Sequence, residues 1–282
     1  MTLTLKKYHI SFIITEYGNL QSYLGSPIEG SFGRALEAVN SKLYNQLNNV
    51  KINQKNKAYR YTRDNTPRPY MIFPTLNGGK KKPGDKLSFE LTLFGKYSNK
   101  FKYLVPVFRQ MGKTGFGGKF LKAEFVGVEE LLSPISFSTE FNLDDYLDLG
   151  HSKQMIKIKF ISPVSFRSQQ KMDTDFGFNE FYKRLYLRTF ILNHIYGDKL
   201  MPDIEHFDFD VNLVETHHHR LDKIFHKGQG KEAYSLKASE LLLKYKADID
   251  IIDEIYPLLK FGELISVGSN TVYGFGKYII DP

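Results

Sequence analysis

The sequence predicts an α+β fold in which one order of elements occurs twice. Strand-like and helix-like segments follow the order β-α-β-β-α-β in the first half of the chain, and the same order returns in the second half. Each half also has a glycine-rich loop before its last strand, at 112–118 and at 268–276. This order is that of ferredoxin-like (RRM-like) domains. We therefore predict two such domains in tandem, residues 1–135 and 153–282, joined by a linker at 136–152.

The first half supplies its elements in this order. LTLKKYHISFIIT at 3–15 is typical of a strand, and 28–47 has apolar residues at helical spacing. AYRYTR at 58–63 and RPYMIFP at 68–74 are strand-like, and KLSFELTLFG at 86–95 alternates as a half-buried strand does. The segment 102–112 predicts a short helix with Pro106 in its first turn. The segment 119–131 predicts the closing strand.

The second half repeats the pattern. MIKIKFISPVSF at 155–166 predicts a strand, and 176–198 predicts an amphipathic helix, the longest of the chain. The alternating segment 206–219 and a later strand candidate follow. IIDEIYPLLKFGEL at 251–264 predicts a short helix, and KYII at 277–280 predicts the last strand.

Neither glycine cluster has the pattern of a nucleotide-binding loop. A dinucleotide loop leads from a strand into a helix, whereas the residues after Gly276 are strand-like and the sequence ends at Pro282. The GKT at 112–114 would need a glycine at 107 to form a P-loop, and that residue is Val107. The glycines must therefore serve another purpose.

Composition narrows the class of protein. Of 282 residues, 41% are hydrophobic and 15% aromatic, which suffices for a folded core, and there is no cysteine for disulfides or thiolate chemistry. No segment approaches the ~20 apolar residues of a membrane helix. We expect a soluble, cytoplasmic protein without a cofactor or metal.

The charge is distributed unevenly. Residues 1–135 contain 21 basic and 9 acidic residues, a net charge of +12, while residues 136–282 contain 18 and 22, a net charge of −4. The densest stretch, 42–82, carries ten basic residues against Asp64 alone, with tyrosines interleaved. Cations hold phosphates and aromatic faces stack on unpaired bases, so this pattern favours a nucleic-acid partner over a merely solvated loop.

Several segments together resemble a known family. YLGSPIEGSFGRAL, PRPYMI, GDKLSFELTLFG, FRQMGKTGFGGKF, IKFISPVSFR, FYKRLYLRTFIL and LLKFGELISVGSNTVYGFGKYII occur in the order and spacing of the CRISPR-associated repeat-RNA (pre-crRNA) endoribonucleases of the RAMP superfamily, the sixth Cas protein family. The resemblance extends over nearly the whole chain. The sequence departs from the family pattern at Glu29, where an arginine is frequent, and at Ser266, where close relatives often have a histidine.

The resemblance implies metal-independent cleavage of CRISPR precursor RNA within its repeat. The 2′-hydroxyl of the RNA would attack the adjacent phosphate and leave a 2′,3′-cyclic phosphate and a 5′-hydroxyl. It also implies that the terminal glycine loop lies beside the RNA, where backbone N–H groups approach phosphates closely. Other CRISPR effector subunits are possible partners, and both a monomer and a homodimer are compatible with the family.

The proton carriers remain open among several candidates. Histidine suits general acid and base roles because its reference pKa is about 6.5. Many members of the family have a catalytic histidine in or just after the first helix, but this sequence has none between Ile10 and Gly150. His194, in the predicted long helix, is interpreted as structural. The candidates are His9 on the first strand, His217 and His219 in THHHR at 216–220, His226 in a basic loop, and Tyr44 or Lys42 near the end of the first helix. The THHHR run also fits a solvated hairpin or an adventitious metal site.

The predicted RNA-binding residues are cations of both halves and the small residues of the terminal loop. They are Arg60, Arg63, Arg68, Arg109, Lys113, Lys119, Arg167, Gly268, Ser269, Asn270, Gly274, Gly276 and Lys277. One alternative is a non-catalytic RAMP-type subunit that holds guide RNA in an effector complex. A small-molecule enzyme on the same fold is a weaker alternative, because the first half is so basic.

Overall fold

The computed structural model describes residues 3–62, 66–136, 154–164, 166–168, 171–173, 177–197, 207–226 and 234–281. The predicted linker at 136–152 lies almost entirely outside these residues, so the domain boundaries remain a prediction. Among the described residues, no helix has both the length and the apolar character needed to cross a membrane.

The first half forms a four-stranded antiparallel sheet with helices on one face. Its elements are β1 (Thr4–Ile14), β2 (Gly18–Leu20), α1 (Gly25–Val39), α2 (Ser41–Asn48), α3 (Tyr59–Thr62), β3 (Tyr70–Pro74), β4 (Gly79–Lys81), β5 (Lys86–Phe94), a 3₁₀ helix (Gly95–Tyr103), α4 (Val105–Thr114) and β6 (Ala123–Ser136). The sheet order is β3-β5-β1-β6, and β2 and β4 pair separately.

The second half forms a second four-stranded antiparallel sheet. Its elements are β7 (Met155–Phe160), β8 (Phe166–Ser168), β9 (Lys171–Asp173), α5 (Phe178–Tyr196), β10 (Asn212–His226), β11 (Tyr234–Lys246), α6 (Ile249–Ile265), a 3₁₀ turn (Thr271–Tyr273) and β12 (Tyr278–Asp281). The sheet order is β10-β11-β7-β12, and β8 pairs with β9. In both sheets the first strand of the half lies between the last and the third, which is the ferredoxin-like arrangement. The predicted fold class is confirmed.

Alternation along β1 sets the two faces of the first sheet. Tyr8, Ile10, Phe12 and Ile14 are buried, whereas the residues between them are partly exposed. The Phe12 ring contacts Phe89, Phe116 and Phe125 at centroid distances of 5.1–6.2 Å. The opposite face of the same sheet carries polar side chains and meets the second half of the chain.

Two predictions in the first half are wrong. The predicted helix at 28–47 is two helices, because Asn40 has extended backbone angles and its side chain accepts a hydrogen bond from the Leu43 N–H, capping α2. AYRYTR contains the short helix α3, not a strand. Ala58 is fully buried, and the Tyr61 ring packs edge-on against Phe190 of α5. Tertiary packing therefore overrides the strand preference of the tyrosines.

The second half differs from the predictions in element lengths. The strand predicted for 155–166 ends at Phe160, and Phe166 starts the separate β8. The alternating segment 206–219 becomes a strand only from Asn212. The short helix predicted at 251–264 has 17 residues and includes Pro257. The long helix α5, with 19 residues, is confirmed.

Candidate nucleic-acid interface

The terminal glycine loop, residues 267–276, joins α6 to β12 and folds back on itself. The Val267 N–H donates to the Gly276 carbonyl at 2.9 Å, and the Gly276 N–H donates to the Pro163 carbonyl at 2.8 Å. Gly276 has φ of 72°, and a Cβ there would lie 1.7 Å from the Val267 carbonyl oxygen. Only glycine fits, since a side chain would be both strained and in collision with backbone. One reason for this glycine is therefore structural.

The glycine loop docks on the first half of the chain. The Tyr23 hydroxyl donates to the Tyr273 carbonyl at 2.8 Å. A Cβ at Gly25, the first residue of α1, would lie 1.9 Å from that same carbonyl oxygen, and one at Gly274 would lie 2.6 Å from the Ile72 carbonyl oxygen of β3. These close backbone approaches place the loop between the start of α1 and the edge strand β3.

Immediately after the loop, Lys277 reaches the polar face of the first sheet. Its Nζ lies 2.5 Å from Glu90 Oε2 on β5 and 3.9 Å from the centroid of the Phe73 ring on β3. Lys7 of β1 lies on the other side, with Nζ 3.3 Å from the same carboxylate oxygen. The three charged side chains are each less than one-fifth exposed. They form the cluster that we call the lysine–glutamate cluster: Lys7, Glu90 and Lys277.

The electrostatics of this cluster follow from burial and mutual charge. Burial disfavours the Glu90 carboxylate, but Lys277 and Lys7 outweigh it and hold the pKa of Glu90 below its usual range. Burial lowers the pKa of Lys277, and the nearby Lys7 lowers it further, while Glu90 opposes the shift. Two ammonium groups on one carboxylate leave a net charge of +1 in a protected place. That excess favours an anionic ligand.

Arg188 of α5 joins the same region from the second half. Its Nε donates to the Ile265 carbonyl at the end of α6 at 2.8 Å, and its Nη2 lies 3.1 Å from Met71 Sδ of β3. Burial lowers its pKa to about 10. The space enclosed between Met71, Phe73, the lysine–glutamate cluster and the loop is a cavity of about 10 Å³, enough for one water molecule. The two halves are thus closed against each other here.

Among the predicted proton carriers, His9 is the one that the fold brings to this cluster. It lies directly opposite Glu90 in the antiparallel register of β1 and β5, so both side chains lie on the same face of the sheet. His9 is partly buried. His9 therefore lies on the same sheet face as Glu90, the residue that Lys277 contacts, although 268 positions separate His9 and Lys277 in sequence.

The other candidate proton carriers lie elsewhere. β10 is three strands from β12 in the second sheet, a separation of roughly 14 Å. His217 and His219 on β10 are exposed, and His217 Nε2 lies 2.7 Å from Glu215 Oε1. β10 pairs with β11, as the solvated-hairpin interpretation expects. His226 is the last residue of β10, but its side chain lies outside the described part of the chain. On α2, Lys42 is exposed and Tyr44 packs against the core.

His194 occupies a structural position. It is buried on α5, and its Nδ1 lies 3.0 Å from the Phe190 carbonyl oxygen. The centroids of the His194 and Phe190 rings are 3.9 Å apart. Its own carbonyl accepts a hydrogen bond from Asn56 Nδ2 at 2.8 Å. This arrangement agrees with the structural interpretation of this histidine.

Arg68 is 30% exposed and lies in a partly buried hydrogen-bond network. Its Nη1 donates to Glu29 Oε1 and, at 2.9 Å, to the Tyr70 hydroxyl, which in turn donates to Asn48 Oδ1 at 3.0 Å. Glu29, the residue that departs from the family pattern, is thus the ion-pair partner of a predicted RNA-binding arginine. Its burial on α1 is explained by that pair.

The remaining predicted RNA contacts fall into three groups. Arg109, Lys113, Lys119 and Arg60 are exposed on the first half. Gly268, Ser269, Asn270 and Gly274 lie in the loop, where Asn270 has a positive φ of 61° and its Nδ2 is buried with no hydrogen-bond partner among the described residues. Arg63 and the side chain of Arg167 lie outside the described part of the chain.

Sequence reasoning missed Lys7 and Glu90. The signal that could have found them is the alternation of KKYHISF and LSFELTLF, which places Lys7, His9 and Glu90 at positions facing away from the apolar core. What the sequence could not supply was the register that sets β1 beside β5.

Comparison with known families gives two matches. Residues 158–278 match the family model of the CRISPR-associated endoribonuclease Cas6. Residues 3–139 match a different family model, described as an N-terminal domain. No curated protein matches the chain. The resemblance inferred from the sequence is confirmed.

Solved structures match over the whole chain at low sequence identity. Thermus thermophilus Cas6 is 13% identical with a TM-score of 0.60 and covers 99% of both chains. A Cas6 product complex is 12% identical with a TM-score of 0.56, covering 99% of this chain and 100% of the other. A partial Cas6-RT-Cas1–Cas2 complex is 12% identical with a TM-score of 0.59. The chain spans 46% of the length of that last chain, and 29% of the chain in the full Cas6-RT-Cas1–Cas2 complex. These likenesses establish the tandem ferredoxin-like fold.

Proposed function

From the resemblance to the Cas6 endoribonucleases, we propose that this protein cleaves CRISPR precursor RNA within its repeat, without a metal ion, by attack of the RNA 2′-hydroxyl on the adjacent phosphate. The products are a 2′,3′-cyclic phosphate and a 5′-hydroxyl. The observation that supports the proposal from this chain's own residues is that Lys7 and Lys277 pair with Glu90 on the polar sheet face that also carries His9, beside the glycine loop.

Each of these groups has a role in such a reaction. His9 would take the proton of the 2′-hydroxyl or give one to the leaving 5′-oxygen, because imidazole exchanges protons near neutral pH. Lys7 and Lys277 would stabilise the negative charge that develops on the phosphorane oxygens. Before RNA enters, Glu90 would hold both ammonium groups in place. A DNA strand would bind but not react, since it lacks the nucleophile.

RNA must reach this face, and the cavity of about 10 Å³ is too small for a nucleotide. In the proposed reaction the glycine loop and the first sheet move apart when RNA enters, so the Lys277–Glu90 contact opens and phosphate replaces the carboxylate as the partner of Lys277. The matched structures include a Cas6 product complex and Cas6-RT-Cas1–Cas2 complexes. We propose the same two classes of partner, CRISPR RNA and other CRISPR proteins, for this chain.

A second candidate function is a non-catalytic subunit that holds guide RNA. It is favoured by the absence of any histidine between Ile10 and Gly150 and by the pairing of Lys277 and Lys7 with Glu90. The same experiment separates the two functions.

The test uses a labelled repeat RNA from the source genome, incubated with pure protein in EDTA. Matched RNAs carry a single 2′-deoxy substitution at each candidate position. One discrete cut that disappears with one deoxy position, and whose upstream product carries a cyclic phosphate, is the expected result. Tight binding without any cut would reject the nuclease and favour the guide-RNA subunit. Cleavage that needs added divalent metal would reject the proposed mechanism.

A further inference from the structure

A second basic and aromatic surface lies on the helical side of the first domain. It consists of Tyr103 with Lys100 and Lys102 before α4, Arg109 and Lys113 on α4, and Phe120 after it. The polar face with Glu90 is on the other side of the same sheet, because Phe89, the neighbour of Glu90 on β5, packs against Phe108 of α4. We call this surface the α4 track.

The charge of this part of the chain has one sign. Residues 91–123 contain seven basic residues and no acidic one. On α4, Val107, Phe108 and Met111 are fully buried, while Arg109 and Lys113 are exposed four residues apart. Residues at this spacing lie on one helix face, so the exposed face of α4 presents two cations in a row.

Exposed aromatic rings mark both ends of α4. Tyr103 is 46% exposed, and the Nζ atoms of Lys100 and Lys102 lie 5.7 and 5.2 Å from its ring centroid. Phe120 is 44% exposed, with the Arg34 guanidinium 5.0 Å from its centroid. Burying an exposed aromatic ring under a ligand is favourable because it removes apolar surface from water. Rings beside cations suit a nucleic acid, in which each base is joined to a phosphate.

The helix α4 has ten residues and is therefore roughly 15 Å long, with Tyr103 before it and Phe120 after it in sequence. Along this helix Arg109 and Lys113 present cations to the phosphates of a nucleic-acid backbone. Tyr103 and Phe120 present rings on which unpaired bases can stack. A duplex offers phosphates but no free base faces, so the combination fits a single strand better than a duplex. A protein partner would not require a cation over each exposed ring.

We propose that the α4 track binds single-stranded RNA outside the cleft, with one base stacked on Tyr103 and phosphates on Arg109 and Lys113. This inference rests on the proposed RNA substrate but not on cleavage. It assigns to the protein a second contact with the RNA segment that flanks the reacting phosphate.

The test measures binding of an unstructured uridine oligomer about 20 nucleotides long, fluorescently labelled, over a series of salt concentrations. Tyr103→Ala should weaken binding about fivefold or more, since a stacked base contributes at least that factor, while Tyr103→Phe should bind as the wild type does. Tyr17→Ala, which removes an aromatic side chain that is 81% exposed elsewhere, should have no effect. Thermal melting of each variant confirms that the fold is intact.

Charge is tested separately with the double variant Arg109→Gln/Lys113→Gln, which removes the two cations assigned to phosphates. Its plot of log affinity against log salt should be less steep by about 1.4, the value for two phosphate contacts on a single strand. The matched double variant Lys183→Gln/Lys246→Gln removes two exposed lysines of the second half and should leave the slope nearly unchanged. Photo-crosslinking with 5-iodouridine should label the peptide that contains Tyr103.

The outcomes separate this inference from the proposed function. Wild-type affinity for Tyr103→Ala, together with no crosslink in the peptide of Tyr103, would overturn the α4 track even if the protein cleaves repeat RNA. A protein that cuts no RNA but loses affinity for the uridine oligomer on Tyr103→Ala would retain the track and lose the nuclease.

Discussion

Glu90→Gln tests whether the lysine–glutamate cluster holds the two halves together. The substitution keeps the shape of the side chain but removes the charge that pairs with Lys7 and Lys277 at 3.3 and 2.5 Å. Breaking a buried ion pair leaves an uncompensated charge and costs 3–5 kcal/mol, and because these groups keep some exposure we expect about 3 kcal/mol. For a chain of this size that corresponds to a fall in Tm of about 6 °C.

The direct contact is isolated by a double-mutant cycle with Lys277→Met, which keeps the packing on Phe73. That variant alone leaves Glu90 paired with Lys7 and should cost about 1–2 kcal/mol. The double variant should be more stable than the sum of the two losses predicts, with a coupling energy of about 1–3 kcal/mol. Urea unfolding measures each value. Lys113→Met on the far side of the sheet is the control. Losses that add within about 0.5 kcal/mol would refute the contact.

Three further predictions follow from the same contacts. Gly276→Ala should lower Tm and weaken RNA binding, because its Cβ would collide with the Val267 carbonyl oxygen; a thermal melt equal to the wild type would contradict this loop geometry. His9→Ala should slow cleavage about 100-fold or more while His217→Ala stays within a factor of about three, as measured by single-turnover kinetics; a His9→Ala rate within a factor of about three of the wild type would exclude His9 as the proton carrier. Because the pKa of Glu90 is lowered in the folded chain, its stabilisation is present above the ordinary glutamate pKa of about 4.3 and is lost as the pH falls through the lower folded value. As the pH is lowered through that range, the free energy of unfolding should therefore fall less for Glu90→Gln than for the wild type. Parallel plots of this free energy against pH would count against the lowered pKa of Glu90.

The fold could be predicted because local pattern and global topology agree. Alternation in β1, the glycines before each last strand and the long amphipathic α5 each point to the same β-α-β-β-α-β order. The two failures have different causes. The break at Asn40 is local, because its side chain caps α2 at the Leu43 N–H, whereas α3 depends on a contact distant in sequence. α3 is helical where Tyr61 meets Phe190 of the other half, and no window of neighbouring residues contains that information.

The type of candidate site could be predicted from the sequence, but not all of the residues that form it. The terminal loop and Lys277 could be identified from the glycine pattern, and His9 from its strand. Arg68 looked equally suited to bind RNA, because nothing in its neighbourhood indicates that Glu29, on a helix 39 residues earlier, neutralises it. A charge counted in a sequence becomes available to a ligand only if the fold leaves it without an internal partner.

By this criterion, the cations discussed above fall into two groups. Lys7 and Lys277 share Glu90, and Arg68 is held by Glu29, so the cations of the interior face are already partly neutralised and respond to RNA only by exchanging a carboxylate for a phosphate. Among the described residues, no ion pair joins Arg109 or Lys113 of α4 to an acid, so these cations would meet RNA without such an exchange. An RNA strand would therefore first bind the α4 track, through electrostatic attraction that weakens with salt. In the proposed reaction, the lysine–glutamate cluster would determine the energy required to open the cleft. In this arrangement affinity and reaction depend on different residues, and variants of Glu90 and of Tyr103 should change them separately.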